Sequence, residues 1–436
     1  MSETSTNTTT SQSSRRDFMK TSTAAVAGAA LVSQALSTAV YAQGSDTIKV
    51  GLVGCGGRGS GASVNALHAD PGAKLVAMGD LFPDVLEPAR QNIANEAPGQ
   101  VDVPKERQFA GWEAYKGVIA ASDVVLLATT PHFRPMHIKA CLEANKHVFA
   151  EKPVGVDARS VREAMQLSEE AKKRNVNLVS GLCYRYDKYV QETVDQIHQG
   201  TIGDVVSIQS NYLTSWLWNK PRKPEWSDME YQIRNWLYYY WLSGDHIVEQ
   251  HIHSLDKALW IMKDQPPTRV TSTGGRTQRT APEFGNIYDH FSSVFEWDMG
   301  AGKTVRCFSF CRQYENCAVD VSDWVFGTEG IANLDQHRIT GKKNWRKPPT
   351  TPENKYDSEH KALFGAIRSG KTLNNGDYMC KSTLMAIMAR ESAYSGKTIK
   401  WDEIMDSKQD LSPATGYVWG PLPVAPVAVP KQYKFT

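Results

Sequence analysis

The sequence predicts an α/β N-terminal part built as a doubly wound parallel sheet, followed by an α+β part with a large, mainly antiparallel open sheet. Three observations predict it. A β-branched run over residues 47–54 ends in the glycine-rich turn Gly54-Cys55-Gly56-Gly57-Arg58-Gly59. Short apolar runs then alternate with helix-like segments to about residue 150, the spacing of parallel strands joined by helical crossovers. Beyond residue 200 several runs alternate apolar and polar residues, as strands with one wet face do.

The glycine-rich turn fits G-x-G-x-x-G. Gly54 permits the tight turn, Gly56 lets the backbone approach a pyrophosphate, and Gly59 lets the next helix pack close with its N-terminus facing the phosphates. A second strand, Lys74–Met78, leads to Asp80. A carboxylate there accepts hydrogen bonds from ribose hydroxyls and repels a 2′-phosphate, so the expected cofactor is NAD rather than NADP. The plainer alternative is that Asp80 only caps the next turn. A third buried strand, Asp123–Ala128, runs into Thr129 and Thr130, and a helix over His137–Asn145 precedes a strand, His147–Ala150, that ends in Glu151-Lys152-Pro153. This order is that of a Rossmann domain. Its candidate cofactor contacts are Gly54, Gly56, Arg58, Gly59, Asp80, Thr129, Thr130, Glu151 and Lys152.

The 436 residues carry 49 Lys and Arg against 47 Asp and Glu, a formal charge of +2. That balance excludes a polybasic nucleic-acid binder, and suits an uncharged sugar better than a polyanion. With 41% apolar and 22% charged residues the chain is neither disordered nor a polytopic membrane protein. Seven scattered cysteines without a Cys-x-x-Cys pair read as reduced and structural. The first residues are an address: Arg15-Arg16 within Ser14–Lys20 has the twin-arginine layout, an Ala-rich run follows, and Val40-Tyr41-Ala42 offers a cleavage site after Ala42. An uncleaved anchor is the alternative, weakened by the low hydrophobicity of that run. The expected product is exported, periplasmic or secreted, with no stable membrane insertion once the signal is removed.

After Lys152 a charged helix is expected over Ala158–Arg174, then strands at Asn177–Leu182, Asp204–Tyr212, Arg269–Thr273, His290–Trp297 and Val305–Phe310. Between them, Asp245, Glu249, His253 and Asp256 fall on one face of a predicted helix, with a carboxylate placed to orient an imidazole as a general base requires. A metal held by three histidines (His246, His251 and His253) and two carboxylates is an alternative; His251 and His253 face apart on a helix, so it would need a strand or loop setting, and no metal is expected. Simple buried structural histidines are the other alternative. Residues 212–241 hold ten aromatics, Trp236 among them, interleaved with Arg222, Arg234 and Asn235. Such rings stack on sugar faces, and a core or subunit-contact role is the simpler reading for most of them. Pro421–Pro430 reads as an extended strap.

The segments GLVGCGGRG, DVVLLATTPHFRPMHIKACLEANKHVFAEKP and GLCYRYDKYVQETVDQIHQGTIGDVVSIQS resemble the Gfo/Idh/MocA oxidoreductases, the glucose–fructose oxidoreductase and inositol dehydrogenase superfamily. VFGTEGIANL and STLMAIMARESAYSGKTIKWDE are similar to later family segments, so the likeness runs from about Ile48 to Glu403. It implies a substrate domain whose sheet also forms the oligomer surface, and hence a homo-oligomer, a dimer or tetramer. Against the family motif D-x-G-x-H-x-x-D, His253 matches the histidine and Asp256 the trailing aspartate. Glu249 replaces the first aspartate and His251 the glycine. Lys152 of Glu-Lys-Pro is implied to bind the reacting hydroxyl while His253 takes its proton. Tyr184 and Arg185 occupy a substrate-side position, joined by Arg234, Trp236 and Asp256 as candidate substrate contacts.

The expected division is a signal over 1–42, an NAD domain over 43–175, a substrate and oligomerisation domain over 176–375, and a C-terminal helix and tail over 376–436. The expected function is an exported NAD-dependent oxidoreductase acting on a hydroxyl of a sugar, sugar derivative or cyclitol. Export through a pathway that carries folded proteins implies a retained cofactor restored each turnover. The alternatives are an NAD-dependent glycosidase or lyase working by transient oxidation and elimination, and a non-catalytic sugar binder. Retention of both Lys152 and the base histidine disfavours the binder.

Overall fold

The computed structural model describes residues 47–348, 350, 351 and 353–436. The expected signal and its cleavage site lie outside them. Six strands form a wholly parallel sheet: β1 (Ile48–Val53), β2 (Ala73–Asp80), β3 (Gln108–Ala110), β4 (Val124–Leu127), β5 (His147–Ala150) and β6 (Leu178–Ser180), in the order β3-β2-β1-β4-β5-β6. β1 and β4 are apolar and almost wholly buried, because helices cover both faces. The strand expected at Asn177–Leu182 joins this first sheet, not the second. The Ala158–Lys173 helix explains why: Asp157 accepts the Ser160 N–H at 2.7 Å in a capping box, and the helix carries the chain back to lie parallel to β5.

Nine further strands form the second sheet: β7 (Val205–Thr214), β8 (Arg269–Gly275), β9 (His290–Asp298), β10 (Thr304–Gln313), β11 (Asp320–Gly327), β12 (Gly330–Asn333), β13 (Arg338–Gly341), β14 (Trp345–Arg346) and β15 (Ile399–Lys400). Only the β7–β10 pair is parallel among its described pairings. Along β10, Val305, Cys307, Ser309 and Cys311 point into the core while Arg306 and Phe308 stay exposed. The buried Gly376–Ser395 helix, rich in small and apolar residues, packs against the Ala158–Lys173 helix and β6 on one side and β8 and β9 on the other. This helix ties the two sheets together. All seven cysteines are free thiols, six of them buried.

Candidate active site

At the end of β1 the glycine turn has the geometry its spacing predicts. A Cβ on Gly59 would lie 1.9 Å from the Gly54 carbonyl oxygen, and Gly54 itself has φ +96° with the Ala128 backbone 2.6 Å from any added Cβ. A Cβ on Gly56 meets nothing within 4 Å. That open space lies over the Gly57–Ala69 helix, which has no side-chain cap and no acidic residue in its first turn. Its leading N–H groups therefore offer an anion site. Asp80 borders the same turn, with one oxygen accepting the Cys55 N–H at 2.7 Å and the other the Phe82 N–H at 3.0 Å. Burial raises the Asp80 pKa, and the two N–H groups partly offset it. Each oxygen retains lone-pair capacity for a hydroxyl donor. The Thr130 hydroxyl and Arg58 Nη2 are buried without a hydrogen-bond partner among the described residues. An open glycine, an uncapped helix and these two orphaned groups fit a dinucleotide. Thr129 is already engaged, its hydroxyl 3.2 Å from His137 Nδ1 and its carbonyl accepting Arg134 Nη2 at 2.7 Å.

Glu151 and Lys152 leave β5 under restraint. Glu151 accepts Arg58 Nε at 2.5 Å, and Arg134 donates to the Pro153 carbonyl. The Lys152 ammonium crosses to the second part of the chain, donating to the Glu249 carbonyl at 2.5 Å and to Glu249 Oε1 at 2.9 Å. Glu249 thus holds Lys152 rather than orienting His253. The expected single helical face is absent: a helix over His246–Glu249 ends, and a second begins at Ile252. Side chains at the break are anchored on β10, His251 Nε2 lying 2.6 Å from the Ser309 hydroxyl and Gln250 accepting from Gln313 at 2.8 Å.

Among the described residues His253 therefore has no orienting carboxylate, and its buried Nδ1 has no hydrogen-bond partner. Burial lowers its pKa well below the usual imidazole range, reinforced by Lys152, Lys257, Lys355 and Arg58. The ring is neutral at neutral pH and available as a base. Tyr184 meets it edge-on with centroids 5.5 Å apart, and Lys257 and Lys355 lie 4.4 and 4.8 Å from the Tyr184 ring centre. Lys257 could be found from sequence, four residues past His253 on the same helix. Lys355 and Tyr356 come from a distant helix, Lys355–Arg368, and Arg134 from a buried helix start; no motif marks them.

Three expected substrate contacts are committed elsewhere. Arg185 forks onto Asp256 at 2.8–3.1 Å, and Asp256 also accepts the Ser382 hydroxyl at 2.8 Å. Arg185 further pairs with Asp264 at 2.7 Å and lies over the Trp260 and Tyr378 rings. Both partners of the Arg185–Asp256 pair are buried, so they build the wall behind the site rather than its surface. Arg234 pairs with Asp84 and Glu230 and sits 3.8 Å over Phe82, just beyond Asp80 on the chain. Trp236 is half-buried, 6.2 Å from Trp218 and between two apolar clusters. Of the aromatic window, Tyr231, Tyr239 and Trp241 pack in one cluster and Tyr238 in another, so these rings are core.

A parallel sheet with a dinucleotide turn, facing a lysine and a neutral histidine, defines a nicotinamide-dependent oxidoreductase fold. Family comparisons agree. The oxidoreductase family with an NAD-binding Rossmann fold matches residues 48–182, and the GFO/IDH/MocA C-terminal domain matches 190–333. The chain belongs to the Gfo/Idh/MocA oxidoreductase family and binds NAD. Residues 12–32 match the twin-arginine translocation signal, so the chain is addressed to that export pathway. No described helix is long and apolar enough to cross a membrane. The chain is 25% identical over 242 residues to the 2,7-anhydro-N-acetylneuraminate hydratase of Escherichia coli, covering 55% of this chain and 59% of that protein. It is 29% identical over 177 residues to a glycosyl hydrolase family 109 protein of Shewanella pealeana, covering 40% of this chain and 37% of that protein. Both matches span under two thirds of the relative's length. A solved levoglucosan dehydrogenase in complex with NADH has the same fold, with TM-score 0.63, 16% identity, and 81% and 99% of the two chains covered.

Proposed function

We propose that this protein oxidises a hydroxyl of a sugar, sugar derivative or cyclitol outside the cytoplasm, using an NAD that it keeps bound. The observation that carries the reading is the meeting of Lys152, from the end of β5, with Glu249 and His253 from the second part of the chain. Bound NAD supplies the hydride acceptor. Lys152 directs positive charge at the reacting oxygen, which favours the developing alkoxide. The neutral His253 accepts the hydroxyl proton. Glu249 fixes the lysine by two hydrogen bonds, so the ammonium is preorganised before substrate arrives. In this arrangement the hydroxyl proton would pass to His253 while the alkoxide faces the Lys152 ammonium. A retained NAD would supply closed-cycle chemistry, with a second carbonyl compound as the acceptor in this reading.

Homo-oligomerisation through the second sheet belongs to the same reading. Phe308 and Ile331 are exposed on it, at 40% and 39%. Such an apolar face suits a subunit contact. The likeness to family 109 glycosyl hydrolases favours one second reading, in which the carbonyl formed by oxidation labilises a neighbouring glycosidic bond and the hydride then returns. Product analysis separates the two. Oxidised and reduced products in equal amounts support oxidoreduction, whereas glycoside cleavage with no net redox change overturns it.

A further inference from the structure

A strained residue stands one helical turn before Glu249. Asp245 has φ +75° and ψ 161°, a region that residues other than glycine rarely enter, and the preceding Gly244 has φ +80°. An aspartate persists there only where its surroundings over-determine it. They do so here, because the side chain is wholly buried and both of its oxygens are engaged. Oδ1 accepts the His246 N–H at 2.5 Å and lies 2.9 Å from His246 Nδ1. Oδ2 accepts the Tyr288 N–H at 2.8 Å and the Tyr394 hydroxyl at 2.5 Å. Just before it, the Gly244 carbonyl accepts Arg390 Nη1 at 3.1 Å.

Two distant parts of the chain supply these bonds. Tyr394 and Arg390 belong to the Gly376–Ser395 helix that joins the sheets, and Tyr288 lies two residues before β9. The Tyr288 and Tyr394 rings also pack together, with centroids 4.6 Å apart. The bend at Gly244-Asp245 is therefore referenced to the core. What it controls lies on the other side. The Asp245 carbonyl accepts the Val248 N–H at 3.0 Å and the Glu249 N–H at 2.9 Å, closing the single turn His246–Glu249. One turn is too short to be stable alone. Glu249 then gives its carbonyl and its carboxylate to the Lys152 ammonium. An unbroken series of contacts thus runs from the Tyr394 hydroxyl through Asp245 and Glu249 to Lys152.

We infer that Asp245 is a positioning residue for Lys152: its carboxylate, bonded to Tyr394, Tyr288 and His246, fixes the turn that carries Glu249, and Glu249 sets where the ammonium meets the substrate. This rests on the proposed site and names the group that sets its geometry. Glycine would take this φ without strain, so what an aspartate adds is the set of bonds its carboxylate makes. That carboxylate faces the core, and it acts through Glu249 rather than on the substrate.

The test reads Lys152 directly. NAD-loaded protein is treated with a trace of acetic anhydride, and acetylation of Lys152 is measured by peptide mass spectrometry against that of the exposed Lys74. Asp245→Asn and Asp245→Gly are both expected to raise Lys152 labelling about tenfold, the scale of a released charge-assisted hydrogen bond. Tyr394→Phe keeps the ring and removes one bond to Oδ2, so it should raise labelling about threefold. Should the Asp245 variants fail to fold, Tyr394→Phe decides alone. A purely backbone role predicts that glycine leaves Lys152 as it was. Wild-type labelling in Asp245→Gly, or in Tyr394→Phe, therefore overturns the inference. With whichever of glucose, galactose and myo-inositol reduces the bound NAD, kcat should fall about tenfold or more in Asp245→Asn while KM changes little; a loss carried by KM alone also overturns it. Labelling is read without turnover, so the two claims fail separately. A released Lys152 in variants of a protein that reduces no cofactor contradicts the oxidoreductase reading alone, and a held Lys152 in variants of an active protein contradicts this inference alone.

Discussion

Lys152 gains its role from where its ammonium is held, not from its charge alone. Two hydrogen bonds to Glu249 fix it across the gap between the Rossmann sheet and the second part of the chain. Lys152→Ala should lower hydride transfer by at least about a hundredfold, the scale of one lost preorganised charge, while NAD stays bound; stopped-flow rates and cofactor content read the two effects. Gly56 gives the complementary test. A side chain fits there without collision, so Gly56→Val should fold with unchanged thermal stability yet fail to retain NAD. At this scale the sequence was informative wherever the function depends on local spacing. Gly54, Gly56, Gly59, Asp80 and the Glu151-Lys152 pair stand where their motif puts them. Asp256 and Arg185 are each matched by a residue far along the chain, and spacing does not reveal that the two form a buried ion pair.

Elements decide which of these residues meet. A continuous helix through His246–Ile261 would have placed Glu249 beneath His253. The break at Gln250 and His251, pinned on β10, turns Glu249 to Lys152 instead. Residue periodicity predicts a helix face but not a break imposed by a distant strand. The tail shows the same dependence. Composition indicates an extended strap over Pro421–Pro430, and contact geometry shows what the residues just before it cover. Trp112 and Phe133 line a cleft with Asp80 and Thr129. Tyr417 stacks 5.7 Å from Trp112 and its hydroxyl lies 2.8 Å from His132, while Trp419 is tilted against Trp112 at 5.0 Å and stacks 5.9 Å from Phe82. The segment just before the Pro421–Pro430 strap thereby backs the aromatic wall of the cleft beside Asp80. Replacing Tyr417 and Trp419 together by alanine removes several aromatic pairs, each contributing about 1 kcal/mol, and should speed NAD release about tenfold or more. Fluorescence of released cofactor on dilution measures it; unchanged retention would confine these two rings to packing.

Across the whole molecule, near-neutral charge conceals an uneven distribution of buried titratable groups. His137, His251 and His360 are buried, and desolvation lowers each to a pKa of about 3. Unfolded, they take up protons near the ordinary value of about 6.5. The unfolded chain thus binds more protons between about pH 6.5 and 3, and stability falls as pH falls through that window, by up to about 1.4 kcal/mol per pH unit for each histidine. Glu359 opposes them, since its raised pKa keeps a proton in the folded state. Asp80 and Asp323 are raised as well, but His132, His147, His253 and His337 are lowered beside the first three histidines, so three carboxylates against seven histidines leave a net loss. The melting temperature should drop from pH 7 to pH 5, and His360→Phe should reduce the drop. Stability constant across that range would show that these rings are charged in the fold. The two-sheet architecture was legible in the alternation of runs along the chain, whereas the Gly376–Ser395 helix that joins the sheets was not. Its small, apolar residues acquire meaning only from the surfaces on either side.

The central claim is that bound NAD meets a sugar hydroxyl between Lys152 and His253. The most direct measurement follows the near-ultraviolet absorbance of reduced nicotinamide as neutral and carboxylate-bearing sugars are added to the purified, NAD-loaded protein. The account predicts that at least one sugar reduces the bound cofactor and that Lys152→Ala, still carrying NAD, stays silent with the same sugar. Reduction at an undiminished rate in Lys152→Ala, or silence of the wild-type protein across the panel, would contradict it.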